Sequence, residues 1–437
     1  MAYRKEAHSK KNIKFMGNSQ QSQSNPDEVA AIAQEVKGLK LRGDLSALSN
    51  RNLKKKIVIF FGRETFCDNS KYLFLACARE APDFQFIWCT WSKALHATLL
   101  KNNLPSVLLS EDISKSAELL LSAGIAVFCE NPNNALAGLQ FLQDCLSGAK
   151  KIQLWHGISV KHLDLMLMSR TNVLDAGFRA QVTGASIVDY GASTSSSLDM
   201  FWVRAHGTQS LLRVGQPRNE VILREPGDLE FIGAMLSAGE AAAFESAATK
   251  ILVAPTWNHS NQGWFGGEKC FESLEYIGLK HNLRFFLKLH PFLMKSFNKE
   301  NLSARFERIT FLDPGLDIYP WLKYFSALMT DYSSIMFDYL LTGKPVLLYD
   351  VTSDPMIVGG PDFSLVPDHQ CFYKFTPKTL EETLQSAFAD HPLSAVQERM
   401  RNALFETDPL EANRSLVKFL GALSREISGK SASVIQI

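Results

Sequence analysis

Two histidines stand where apolar runs end. Ile152-Gln153-Leu154 gives way to Trp155-His156-Gly157, and Leu287-Lys288-Leu289 gives way to His290-Pro291. An imidazole with an ordinary pKa of ~6.5 can take a proton from a hydroxyl near neutral pH. A lone histidine at a strand end is more often a hydrogen-bonded structural residue than a catalyst. Two of them, at equivalent strand ends of two facing domains, would put one on each wall of a cleft. One would serve as base and the other would face an anionic leaving group.

Two further segments suit phosphate. Leu328-Met329-Thr330-Asp331-Tyr332-Ser333-Ser334-Ile335 reads as a strand, a polar turn and the start of a helix. Free backbone N–H groups, the positive end of the helix dipole and two hydroxyls make an anion site fit for a diphosphate. Plain capping by Asp331 or Ser333 accounts for one residue of that cluster and is compatible with it. In Val214-Gly215-Gln216-Pro217-Arg218-Asn219 the Gly and Pro form a turn that would fix Arg218 between domains as a bidentate phosphate clamp. A surface arginine after a turn is the plainer alternative.

The elements that must position these groups alternate. Strands are expected at 57–61, 84–88, 106–109, 125–128 and 151–154, with helices at 71–79, 93–101, 114–123 and 135–146 between and after them. A helical, Ser-rich middle follows. Strands resume at 251–255, 284–289, 308–312, 327–330 and 345–349, and the chain from Pro377 has a helical pattern. Continuously apolar strands alternating with amphipathic helices are what a parallel sheet covered on both faces requires. The expected fold is α/β, with two Rossmann-like parallel-sheet domains facing a cleft, the glycosyltransferase-B type, with ligand at the carboxyl ends of the strands. Such a fold alone names no chemistry.

The composition excludes several classes. The 437 residues are 46% hydrophobic and 21% charged, which is globular and not disordered, and the net charge of +1 offers no global field for nucleic acid. The charge is uneven: residues 1–56 carry 12 basic and 5 acidic side chains, a balance of +7, which leaves −6 for the remainder. Seven cysteines without a CxxC pair read as reduced, mostly buried thiols of a cytoplasmic protein. No apolar run is long enough for a membrane span or a signal peptide. No pattern for a metal is identifiable, and metal dependence is left open.

Taken together, the motifs resemble a family. Trp155-His156-Gly157, Gly215-Gln216-Pro217-Arg218-Asn219, Ala254-Pro255-Thr256-Trp257, Leu289-His290-Pro291 and Thr330-Asp331-Tyr332-Ser333-Ser334 follow the order of CDP-glycerol glycerophosphotransferases, the teichoic-acid primases and polymerases. Asp68-Asn69-Ser70-Lys71-Tyr72 and Asp317-Ile318-Tyr319-Pro320 look like further family segments. The match runs from about residue 57 to 350. It departs where Ile158-Ser159 replaces the usual Thr-Pro, although Lys161 is kept, and where Asn258 stands in place of an Arg.

The resemblance implies transfer of glycerol or ribitol phosphate from a CDP-alditol to a hydroxyl of a cell-surface glycan or polyol-phosphate polymer, with release of CMP and without a cofactor. His156 and His290 would be catalytic. Arg218, Thr330, Asp331, Ser333 and Ser334 would hold the donor phosphates, with Gly157, Lys161, Thr256, Asn258 and Lys288 as additional candidates. Residues 57–215 would form the acceptor-side domain. Residues 216–437 would form the CDP-binding domain with terminal helices, and residues 1–56 a basic polar arm with a short helix. A lipid-linked acceptor would bring the protein to the inner face of the membrane, with the arm as a peripheral anchor. Two alternatives stay open: a nucleotide-sugar glycosyltransferase or epimerase of the same fold, and a glycan- or lipid-binding scaffold without turnover.

Overall fold

A computed structural model describes residues 26–163, 165–166, 188–208, 210–256, 264–290, 299–350, 361–366 and 369–433. Residues 1–25 of the basic arm, Asn258 and Pro291 lie outside the described residues. The first sheet contains β1 (Lys55–Phe61), β2 (Gln85–Thr90), β3 (Ser106–Leu108), β4 (Ala123–Phe128), β5 (Lys150–Gln153), β6 (Tyr190–Ser193) and β7 (Ser210–Arg213). Its order is β3-β2-β1-β4-β5-β6-β7, with all pairs parallel. The second sheet contains β8 (Thr249–Val253), β9 (Leu283–Leu287), β10 (Ile309–Phe311), β11 (Ala327–Thr330), β12 (Val346–Tyr349) and β13 (Tyr373–Phe375). Its order is β10-β9-β8-β11-β12-β13, again parallel throughout.

Alternation along each strand explains why the strands are apolar without a break. In β1, Val58 and Phe60 pack into one core with Leu73, Phe74 and Trp88, while Ile57, Ile59 and Phe61 pack into another with Leu109, Leu120 and Leu142. In β8, Ile251 and Val253 face one core and Leu252 the other. Each fully buried side chain of this size contributes about 1.5–3 kcal/mol, so both faces must be covered by helices. The strand order then reverses between β1 and β4 and between β8 and β11. Such reversals leave a crevice at the carboxyl ends of the strands.

Several elements differ from the sequence expectation. The helix expected over 135–146 is two short pieces, Pro132–Ala135 and Gln140–Cys145, because Ala137 and Gly138 take φ of 53° and 75° and turn the chain between them. Strands β6 and β7 lie in the supposed helical middle; Tyr-Gly-Ala-Ser and Ser-Leu-Leu-Arg contain no β-branched residue. The short helix expected near Pro26 runs to Arg51. Gly38 and Gly43 lower its intrinsic propensity, but Arg42 pairs with Asp144 at 2.7 Å and the Ser49 hydroxyl donates to the Cys145 carbonyl at 2.6 Å. Tertiary contacts therefore hold its second half.

The assignment of the terminal helices to the second domain is corrected at the last one. Helix Ala412–Ser433 returns to the first domain, where Leu416, Val417, Leu420 and Leu423 are buried against β1 and helix Asp68–Glu80. These four positions form one apolar stripe at helical spacing, which packs on β1 and β4 beside helix Asp68–Glu80. Among the described residues no helix is long and apolar enough to cross a membrane.

Candidate active site

A cleft of about 770 Å³ lies between the two sheets, at the carboxyl ends of their strands. Arg63 follows β1, Glu130 follows β4 and His156 follows β5; from the other domain come Thr256 after β8, His290 after β9, and Ser333 and Ser334 after β11. Both expected histidines therefore line one cavity, together with Gly157, Lys161, Lys288 and Arg218.

His156 is half-buried, and its ring stacks on Trp155 with centroids 4.2 Å apart. Its Nδ1 lies 3.3 Å from the Cys129 carbonyl oxygen, which can only accept, so Nδ1 carries the proton and Nε2 is left with a lone pair. Burial, then the nearby cations Arg63, Arg218 and Lys161, hold this imidazole well below its ordinary pKa. The backbone that delivers it is unusual: Trp155 has φ of 54°, and its carbonyl accepts from Asn69 Nδ2 at 2.8 Å. His290 is also kept neutral, its pKa lowered to about 4 by burial and by Arg63, Lys288 and Lys161.

Arg218, expected as a phosphate clamp, lines the cleft and is also engaged within the protein. Its guanidinium is buried and reaches Asp68 Oδ1 at 2.7 Å and Asp338 Oδ2 at 2.6 Å, while Nη2 also donates to the His156 carbonyl at 3.0 Å. It lies 4.4 Å from the centre of the Tyr319 ring, whose hydroxyl donates to Asp338 Oδ2 at 2.6 Å. Two carboxylates share this cation, and its contact with the His156 carbonyl helps to order that loop. Thr330 and Asp331 are likewise engaged within the protein. The Thr330 hydroxyl donates to the Ala254 carbonyl at 2.7 Å, and Asp331 Oδ1 accepts from the amides of Thr256 and Tyr332 at 2.8 and 2.6 Å. Neither lines the cleft. They tie the ends of β8 and β11 together and shape the turn that presents Ser333 and Ser334.

Helix Ile335–Tyr339 after that turn is only five residues long and receives no side-chain cap. Ser334 instead donates to the His156 carbonyl at 3.1 Å, so this turn meets the histidine loop across the cleft. Gly157 makes that approach possible. Its φ is 117°, and a Cβ there would fall 2.5 Å from Arg218 Nη2 and 2.9 Å from Ser334 Oγ. Gly157→Ala should lower unfolding stability by ~1–3 kcal/mol through backbone strain alone and reduce turnover at least tenfold by displacing His156. Urea denaturation and initial rates would check this; unchanged values for both would refute the assigned role.

Remaining candidates supply positive charge. Lys161 Nζ sits 5.3 Å from the centre of the Tyr332 ring, and Lys288 Nζ donates to the Pro314 carbonyl at 2.9 Å. Burial lowers the pKa of both lysines. Sequence reasoning missed Arg63, an exposed cation of the cleft, although its place directly after Gly62 at the end of β1 was a usable signal. It also assigned no role to Asp68, Tyr319 or Asp338. Among the described residues no cluster of three or more His, Cys, Asp or Glu could hold a metal ion.

Comparison with known proteins identifies the relatives of this cleft. The family model for CDP-glycerol:poly(glycerophosphate) glycerophosphotransferase matches residues 45–355. The chain belongs to this family. It is 22% identical over 318 residues to the teichoic acid poly(glycerol phosphate) polymerase of Staphylococcus epidermidis, a match covering 68% of this chain and 40% of that protein. The chain thus spans well under half the length of this curated relative. Among solved structures, the wall teichoic acid polymerase TagF soaked with CDPG superposes with a TM-score of 0.63 at 17% identity, over 92% of this chain and 99% of that one. The S. aureus MnaA–UDP co-structure gives 0.52 at 14% identity, over 83% and 95%. The fold is accordingly of glycosyltransferase-B type, and the family membership rests on the sequence match.

Proposed function

We propose that this cleft transfers an alditol phosphate from a CDP-alditol to a hydroxyl of a glycan or polyol-phosphate acceptor. The acceptor oxygen attacks the phosphorus that bears the alditol, its proton passes to Nε2 of His156, and the bond from that phosphorus to CMP breaks with the electron pair leaving on CMP. Positioning and charge stabilisation carry most of such a reaction. The observation that supports this reading most is the state of His156: a neutral ring with Nδ1 bound to a carbonyl and Nε2 available, in a cleft that also contains Arg63, Lys161 and Lys288. His290 and the Ser333-Ser334 turn are the proposed contacts of the diphosphate on the second domain. Binding of that anion would favour protonation of His290, so the imidazole could then stabilise departing CMP.

Purified protein supplied with CDP-glycerol or CDP-ribitol and a panel of acceptors should release CMP. Release of UDP from a nucleotide sugar, with none of CMP, would overturn the proposal in favour of a sugar transferase or epimerase. The rate should also report the depressed pKa of His156. A base whose pKa is lowered stays unprotonated to lower pH, so the acid limb of kcat/KM should have its midpoint below 6.5. A midpoint at or above 6.5 would remove His156 as the free enzyme's base.

A further inference from the structure

The wall of the cleft farthest along the first sheet is chemically unlike the rest. Trp91 follows β2, Glu64 follows β1, and Glu130 and Asn134 follow β4; all four line the same cavity as His156. The Trp91 ring is half-buried, and its indole N–H already donates to the Ala135 carbonyl at 3.0 Å, which fixes the ring. Glu64 and Asn134 are exposed, and Glu130 is half-buried. Burial, with Asp68 and Glu64 nearby, raises the Glu130 carboxyl above its usual pKa, with Arg63 opposing. By contrast Lys161 and Lys288 lie toward the second domain, the side of the Ser333-Ser334 turn.

The cleft is therefore polarised, with Lys161 and Lys288 toward the donor phosphates and with carboxylates, an amide and an aromatic face toward the outside of the first sheet, where the cation Arg63 is paired with Asp68 Oδ2 at 3.8 Å. Carboxylates and amides bind hydroxyl groups well, and carboxylates repel phosphate. An aromatic face is apolar and electron-rich, and it suits the C–H face of a sugar ring. Strands are spaced by about 4.8 Å, so the three steps from β5 to β2 span ~14 Å between the His156 and Trp91 positions. That is a wall long enough for more than the attacking unit alone.

Resting on the transfer reaction proposed above, we infer that Trp91, Glu64, Glu130 and Asn134 form an acceptor subsite for a neutral saccharide. The end of the acceptor next to the attacking hydroxyl is then a sugar unit, and a repeating polyol-phosphate chain is disfavoured because its phosphates would meet Glu64 and Glu130.

Saturation-transfer NMR on the full chain tests this without turnover. The probes are methyl glycosides of neutral hexoses and N-acetylhexosamines, and a tri(glycerol phosphate), with CDP titrated separately. At least one neutral glycoside should bind more tightly than tri(glycerol phosphate). Trp91→Ala should weaken that glycoside at least tenfold, Trp91→Phe should keep most of the affinity, and Glu130→Gln should improve binding of tri(glycerol phosphate). CDP affinity should be the same in all variants, which also certifies their fold. Tighter binding of tri(glycerol phosphate), no binding of any glycoside, glycoside affinity unchanged in Trp91→Ala, or loss of CDP binding in that variant would each overturn the assignment. Failure of CDP to bind the unaltered protein would refute the donor reading and leave the saccharide subsite standing.

Discussion

His156→Ala should lower turnover by about 10²- to 10⁴-fold while donor affinity changes little. The size follows from what the substitution removes and what it leaves. Nε2 is the proposed proton acceptor, and its availability depends on the 3.3 Å contact of Nδ1 with the Cys129 carbonyl. The His156 backbone carbonyl, which receives hydrogen bonds from Arg218 and Ser334, is retained in the variant, so the loop should keep its course. Steady-state rates of CMP release, together with CDP titration of the variant, separate the two effects. Near-normal turnover would eliminate the assignment. A large loss of CDP affinity with little change in turnover at saturation would move His156 from base to donor contact.

Lys71→Met should destabilise the protein by roughly 3–5 kcal/mol, as expected when one partner of a buried ion pair is removed. Lys71 and Asp317 are 2.7 Å apart with side chains 0% and 1% exposed. The ammonium uses its remaining donors on the carbonyls of Glu230 and Ile232 at 2.7 and 2.8 Å, and the Tyr72 hydroxyl also donates to Asp317 at 2.7 Å. Removing the lysine leaves a carboxylate in the interior with Tyr72 and the Tyr319 amide to answer it. The double variant Lys71→Met, Asp317→Asn should recover part of the loss because the unpaired charge is gone. Urea denaturation of the three variants would measure both effects. A shift for Lys71→Met of about 1 kcal/mol or less, the scale of a surface pair, would show that water reaches this site.

Lys71 and Asp317 lie in two of the segments whose resemblance to the family was legible, yet nothing in either segment says that they touch. Asp68 and Asp338 are separated from Arg218 by 150 and 120 residues. An arginine after a Gly-Pro turn near a phosphate site reads as a phosphate clamp. Two carboxylates within 2.7 Å share its charge, and neither is announced by its neighbours in sequence. The same holds for Asp331, whose position in the motif suggests a ligand contact but whose oxygen is occupied by two backbone amides.

What the sequence determined by itself is what local patterning encodes. Unbroken apolar runs and 3.6-residue stripes specify strands and helices wherever they are long enough, so the two parallel-sheet domains and the strand-end positions of His156 and His290 could be read directly. Short strands such as Tyr190–Ser193 carry too little pattern, and they form because neighbouring strands pair with them. Only the tertiary structure decided which domain the last helix covers, which charges pair with Arg218, and which wall of the cleft is acidic. Those outcomes depend on groups brought together from distant parts of the chain. Their burial and mutual distance set the electrostatic energy, and a residue's own neighbours in sequence say nothing about either.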